Sequence, residues 1–217
     1  MNYLKLSRIF CLAILCLTIS HISMAQNQEW KLIKTNNKGD GWKVYKAKVP
    51  GSKLNQVKII GKVNCSIEEA QKIAWDMILD STMRITKKGK SLGYVKVLER
   101  SEKEMVVYDF MKGSFLVKDR DVVVRYTLLN DSLKNTTGIK WSQIDLKGFE
   151  PTDSVIRMPI ATGSWNFEKI DSTSCTATEN FRFHPGGNPP AWLVNMVAKS
   201  SIPIELEHLR KTIKRDN

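Results

Sequence analysis

Two alternating apolar segments open the fold, Trp42, Val44, Ala47 and Val49, then Val57, Ile59 and Val63, with Pro50-Gly51-Ser52 between them. Apolar residues at every second position mark half-buried strands, and the Pro-Gly-Ser break marks a turn, so the pair predicts a hairpin. Upstream, Trp30 and Ile33 stand three apart in Glu29 to Thr35, which predicts a short amphipathic helix, and Asn36 to Gly41 is a turn-rich break. After the hairpin the period changes. Ser66 with Glu69 three residues on forms a capping box, and Ile67, Ala70, Ile73 and Ala74 supply one apolar helical face up to Trp75. A second helical stretch is expected at Ser81 to Ile85, followed by the cationic loop Lys87, Lys88, Gly89, Lys90.

From there the chain reads as strand. Tyr94 to Arg100, Met105 to Met111, Val122 to Leu129, Ile139 to Asp145, Val155 to Ile170 and Thr176 to His184 are separated by turns such as Asn130-Asp131 and Lys147-Gly148. Successive neighbours of this kind predict an antiparallel meander. The last segment returns to helical spacing. Gly186-Gly187-Asn188-Pro189-Pro190 is a turn and helix start, Leu193, Met196 and Val197 form one apolar face, and Leu206, Leu209 and Ile213 continue it beyond Pro203, which is expected to break or kink the helix. The element order places the chain in the α+β class, a curved antiparallel sheet with one long helix across it.

Composition adds a compartment and a partner. Lys5 and Arg8 precede an apolar run from Ile9 to Ile19, and Ser23 and Ala25 are the small residues of a cleavage site, so residues 1–25 are expected to be a secretory signal peptide and residues 26–217 one domain. The apolar run is too short to span a membrane, which needs about 20 helical residues. The chain has 34 Lys and Arg against 22 Asp and Glu, a net +12; without the leader, 32 basic side chains face the same 22 acids, a net +10. Export, to a periplasm or outside the cell, argues against nucleic acid as the partner, and no basic run interleaved with aromatics exists; an anionic membrane surface suits this charge better. Cys65 and Cys175 remain after the leader's loss, and their pairing depends on a distance the sequence does not contain.

Catalytic and metal motifs find no support. Gly89-Lys90-Ser91 resembles the end of a phosphate-binding loop, but Arg84 stands where that loop needs glycine. His184 and His208 have no partners at ligand spacing, no serine lies in a Gly-x-Ser-x-Gly turn, and Glu99, Glu102 and Glu104 flank a hairpin turn as solvated side chains do. No cofactor is expected. Trp141 and Trp165, on strands, either fill a core or line a pocket.

Four blocks in order carry a family resemblance: Trp42-Lys43-Val44-Tyr45 with Pro50-Gly51-Ser52-Lys53-Leu54; Tyr94-Val95-Lys96-Val97-Leu98; Asp119-Arg120-Asp121-Val122-Val123; and Pro185-Gly186-Gly187 through Pro190-Ala191-Trp192-Leu193-Val194-Asn195, followed by Ala198-Lys199 and Ile202-Pro203. From Trp42 to Ile213 the chain resembles the START (steroidogenic acute regulatory protein-related lipid transfer) domain, most of all the phosphatidylcholine transfer protein branch. The resemblance implies a helix-grip fold, a sheet wrapped around the carboxyl-terminal helix enclosing a hydrophobic tunnel for one lipid. It also implies a lid made of that helix, with Gly186-Gly187 as hinge and Pro203 dividing it.

Departures from the pattern limit what is inherited. The aromatics that enclose choline in the phosphatidylcholine carrier align here with Asp109, Val122 and Ala161, so that cage is absent. The family's phosphate-contacting Arg aligns with Lys88, and its inward Arg with Tyr126. Period-two alternation puts Val122, Val124 and Tyr126 on the tunnel face and Arg125 outside, so the tunnel is expected to be more neutral and to suit a sterol, hopanoid, fatty acid or other weakly polar lipid at least as well as a phospholipid. Arg120 and Asp121 are expected to be structural. The predicted lipid contacts are Lys88, Asp109, Val122, Val124, Tyr126, Trp141 and Leu193, in a monomer that is not an enzyme. Two rivals stand beside this reading: a helix-grip cyclase acting on a polyketide-like substrate, favoured by Asp109, and an interaction module with no tunnel.

Overall fold

The computed structural model describes residues 28–80, 91–113 and 118–216 of the chain. The expected signal peptide, the helical stretch at Ser81 to Ile85, the cationic loop with Lys88, and Ser114 to Leu116 lie outside the described residues. Among the described residues, ten strands and two helices follow in the order β1 (Lys31–Asn36), β2 (Trp42–Lys48), β3 (Asn55–Val63), α1 (Ile67–Met77), β4 (Gly93–Arg100), β5 (Glu104–Met111), β6 (Arg120–Asp131), β7 (Thr136–Gln143), β8 (Ile156–Arg157), β9 (Ile160–Lys169), β10 (Cys175–His184) and α2 (Ala191–Asp216).

The strands form one curved sheet in the order β1-β2-β3-β10-β9-β7-β6-β5-β4, antiparallel throughout, with β8 added parallel to β6. The meander from β4 to β10 is as the alternation predicts. Pairing of β3 with β10 then joins the first hairpin to the last strand and closes the core between chain ends. The fold is α+β of the helix-grip type, with α1 and α2 against the concave side of the sheet.

Three expectations are corrected. Glu29 to Thr35 is not a helix: Lys31–Asn36 is edge strand β1, paired with β2 through a bulge between Leu32 and Lys34. Seven residues are too few to nucleate a stable helix, whereas an unpaired β2 edge offers a full ladder of hydrogen bonds. Val155 to Ile170 is two strands, because Pro159 has no N–H to give the ladder. Finally, α2 runs unbroken through Pro203. Its second half is locked down by packing: Ile202, Leu206 and Leu209 are fully buried, and Ile213 nearly so.

Local chemistry fixes the helices on the sheet. Ser66 caps α1 by accepting from the Glu69 N–H at 3.2 Å. Gln71, buried on α1, donates to the carbonyls of Leu129 and Gly138, and Thr137 donates to the Ile67 carbonyl, so α1 is tied to β6 and β7. Asn195 holds the start of α2, accepting from the Asn55 N–H at 2.8 Å and donating to the Lys53 carbonyl. Arg210 holds its far end through the carbonyls of Gly41 and Lys62 and the carboxylate of Glu207, which also accepts from the Trp42 indole N–H. His208 and Asp80 meet at 2.8 Å between α2 and the segment after α1.

Candidate functional site

Strand register places inward side chains in rows across the sheet. One row runs Tyr126, Trp141, Gly163, Phe181, Val57; the next runs Leu128, Ile139, Trp165, Glu179, Ile59, Val44. Between these rows and the two helices lies a cavity of about 450 Å³. That volume is within the roughly 300–1,000 Å³ typical of small-molecule sites. The sheet supplies its aromatic wall, Tyr126, Trp141, Trp165, Phe181 and Phe183; Ala74, Met77 and Ile78 close it from the α1 side, and Ser201 and Glu205 from α2. Gly163 shapes that wall. A Cβ there would stand 2.7 Å from Cε2 of Trp141, so the missing side chain is what lets the indole lie across β9. Tyr126 and Trp141 rings are 6.0 Å apart, and Trp165 stacks on Phe167 at 5.7 Å.

The predicted contacts divide. Asp109, Tyr126 and Trp141 line the cavity. Val122 and Val124 do face inward with Tyr126, while Arg125 is exposed, but both valines are packed into the core cluster and do not reach the cavity wall. Leu193 is half-buried at the first turn of α2 and does not line the cavity either. Lys88 lies outside the described residues. Of the helix that the resemblance makes into a lid, the second half is buried in the core.

The cavity is not neutral, which corrects the sequence expectation. Asp109, Glu179, Arg182 and Glu205 all line it. Glu179 is 4% exposed, and its Oε2 has no hydrogen-bond partner among the described residues. Burial, and second the carboxyl of Glu205, hold Glu179 well above the usual carboxylate range, which favours its protonated form. The signal was available in the sequence. Cys175, Ala177, Glu179, Phe181 and Phe183 occupy one alternating face of a strand, and a carboxyl in an otherwise apolar inward register is the residue to examine.

Arg120 and Asp121 lie away from this site. Asp121 accepts from Arg157 at 2.7 and 3.1 Å in a buried pair, and Arg157 also donates to the Phe149 carbonyl, which ties β8 and the preceding loop to β6. Arg120 donates to the carbonyls of Pro185 and Lys118. Burial, with the neighbouring Asp121, pushes the Tyr108 hydroxyl up to about 12. Asp121 thus holds β8 on β6, and Arg120 ties the start of β6 to Lys118 and Pro185. The thiols of Cys65 and Cys175 are free and buried, and they are neighbours: Cys175 pairs with Val63, two residues before Cys65.

No protein-family model matches the chain, and no curated relative does. Solved structures do. A STAR-related lipid transfer protein from Xanthomonas axonopodis is 20% identical, with 85% of this chain and 98% of that one covered at a TM-score of 0.66. Human STARD10 is 19% identical over 84% of this chain and 71% of its own, also at 0.66. Human StAR-related lipid transfer protein 5 is 15% identical, with 99% of both chains covered at 0.67. These likenesses show that the chain has the helix-grip fold of START-type domains.

Proposed function

We propose that the protein is a START-type lipid carrier that holds one weakly polar lipid in the cavity between the sheet and α2, and that it does no chemistry on it. The cavity of about 450 Å³, walled by aromatics, is the observation that carries this reading. Enclosing a chain there keeps roughly 0.8 kcal/mol per CH₂ of apolar surface from contact with water, which is what an insoluble lipid needs to cross an aqueous gap. The resemblance to the phosphatidylcholine branch does not extend to its ligand, because Asp109, Val122 and Ala161 stand where choline-enclosing aromatics would be.

Exposed side chains support exchange at a membrane. Trp192 is 67% exposed and Met196 and Val197 about half, all on the first half of α2, in a chain whose net charge is +12. Apolar residues on a basic protein suit insertion into an anionic interface. Our reading places the protein outside the cytoplasm as a monomer, with this end of α2 against the bilayer and the positive φ at Gly186 and Gly187 serving as the joint on which it moves. Native mass spectrometry of the protein from its own host, followed by organic extraction, tests the reading. One unaltered lipid per chain is the expected result. An empty protein that also takes up nothing from vesicles overturns it. The carboxyls of Asp109 and Glu179 in an aromatic cavity favour cyclisation of a polyketide-like chain as the second reading, and recovery of a chemically altered ligand would select it.

A further inference from the structure

Glu179 sits at the middle of the sheet with the indole of Trp165 across one strand boundary and the aliphatic Ile59 across the other, so no charged group flanks it in its row. Its side chain is 4% exposed, it lines the cavity, and Oε2 has no hydrogen-bond partner among the described residues. A buried polar group left unpaired costs free energy that a ligand atom of the right kind recovers. We propose that Glu179 is the recognition group of the cavity, its carboxyl O–H donating to the ketone, ester or hydroxyl oxygen of an uncharged lipid. This rests on the cavity being a lipid site and names the class of lipid it selects.

The groups facing Glu179 argue for an uncharged ligand. Among the described residues, Asp109 on β5 and Glu205 on α2 line the same space, with Arg182 on β10 as its cation and Tyr126 from β6. A phosphate or free carboxylate would meet more acidic than basic groups among the described lining residues. Burial, and second Glu205, hold Glu179 well above the usual carboxylate range, which favours the protonated form that the proposed hydrogen bond uses. A neutral acid held this way differs from an ionised one in the partner it takes: it donates to an uncharged oxygen, whereas an ionised pair would take an ammonium.

Chain-matched twelve-carbon probes separate these cases, read through the fluorescence of Trp141 and Trp165 in the cavity wall. The full protein is titrated with dodecan-2-one, dodecan-1-ol, dodecanoate and dodecylammonium. Wild type is expected to prefer the ketone and the alcohol. Glu179→Gln, whose amide still donates, is expected to bind them within about threefold, and Glu179→Leu about tenfold more weakly, the size of one lost hydrogen bond. Ketone affinity is expected to fall on raising the pH into the alkaline range in wild type and to stay level in Glu179→Gln. If Glu179→Leu does not fold, this pH comparison decides alone. Equal ketone binding by wild type and Glu179→Leu, a level pH profile in wild type, or a preference for dodecylammonium lost in Glu179→Gln would each overturn the assignment and leave the lipid cavity standing. No binding of any probe by wild type would overturn both.

Discussion

Arg157 is held by both carboxylate oxygens of Asp121 and by the Phe149 carbonyl, and the two charged side chains are only 14% and 5% exposed. Removing one member of such a pair strands the other charge, and Arg157→Ala is expected to cost about 3–5 kcal/mol. Urea denaturation measures it, and Asp121→Asn in the same background should recover part of the loss. Half of this pair was legible in the sequence. The Arg120-Asp121 block marked a structural site, but the partner stands 36 residues away on a two-residue strand, and no local pattern points to it. Glu179 is the opposite case: its register was readable, yet its burial and its closeness to Glu205 depend on how α2 crosses the sheet.

At the scale of elements, the two halves of α2 are packed differently. Its second half lies on β3, where the missing side chain of Gly61 admits it; a Cβ there would stand 2.7 Å from Cδ2 of Leu206 and 2.9 Å from Nη2 of Arg210. Gly61→Ala is therefore expected to destabilise the fold by about 1–3 kcal/mol, as an overpacked contact does. A thermal melt checks it. The first half presents Trp192, Met196 and Val197 outward and is held by Asn195. Trp192→Ser is expected to slow lipid transfer between anionic vesicles severalfold while leaving the lipid bound per protein unchanged; equal loss of both would mean that Trp192 supports the cavity and not docking. Sequence spacing grouped Leu193, Met196 and Val197 on one apolar face, but the buried positions of this half are Val194 and Ala198, and Pro203 suggested a break that packing of Ile202 and Leu206 overrides.

The whole molecule carries a pH signature through Glu179. Its folded value is raised well above 4.5, so above about pH 4.5 the unfolded chain loses a proton that the folded protein keeps. This part of the stability is fully present below the unfolded value and is lost as pH rises up to the folded value. Glu179→Gln removes the titration, so its melting temperature relative to wild type is expected to be higher at pH 8 than at pH 5. Equal differences at the two values would show that Glu179 ionises normally in the fold.

The order of elements, the strand alternation, the capped helix α1 and the basic balance of the chain were determined by the sequence itself, because each depends on neighbours within a few residues or on composition alone. The β1 edge, the division at Pro159 and the continuity of α2 were decided by pairing and packing partners far along the chain, which outweigh weak local preferences. The cavity belongs wholly to the tertiary structure. Inward residues look alike in sequence whether they fill a core, as Val122 and Val124 do, or face open space, as Tyr126 and Trp141 do. Only the curvature of the sheet and the path of α2 determine which side chains have a neighbour above them, and that is what places the buried carboxyl of Glu179 beside a cavity.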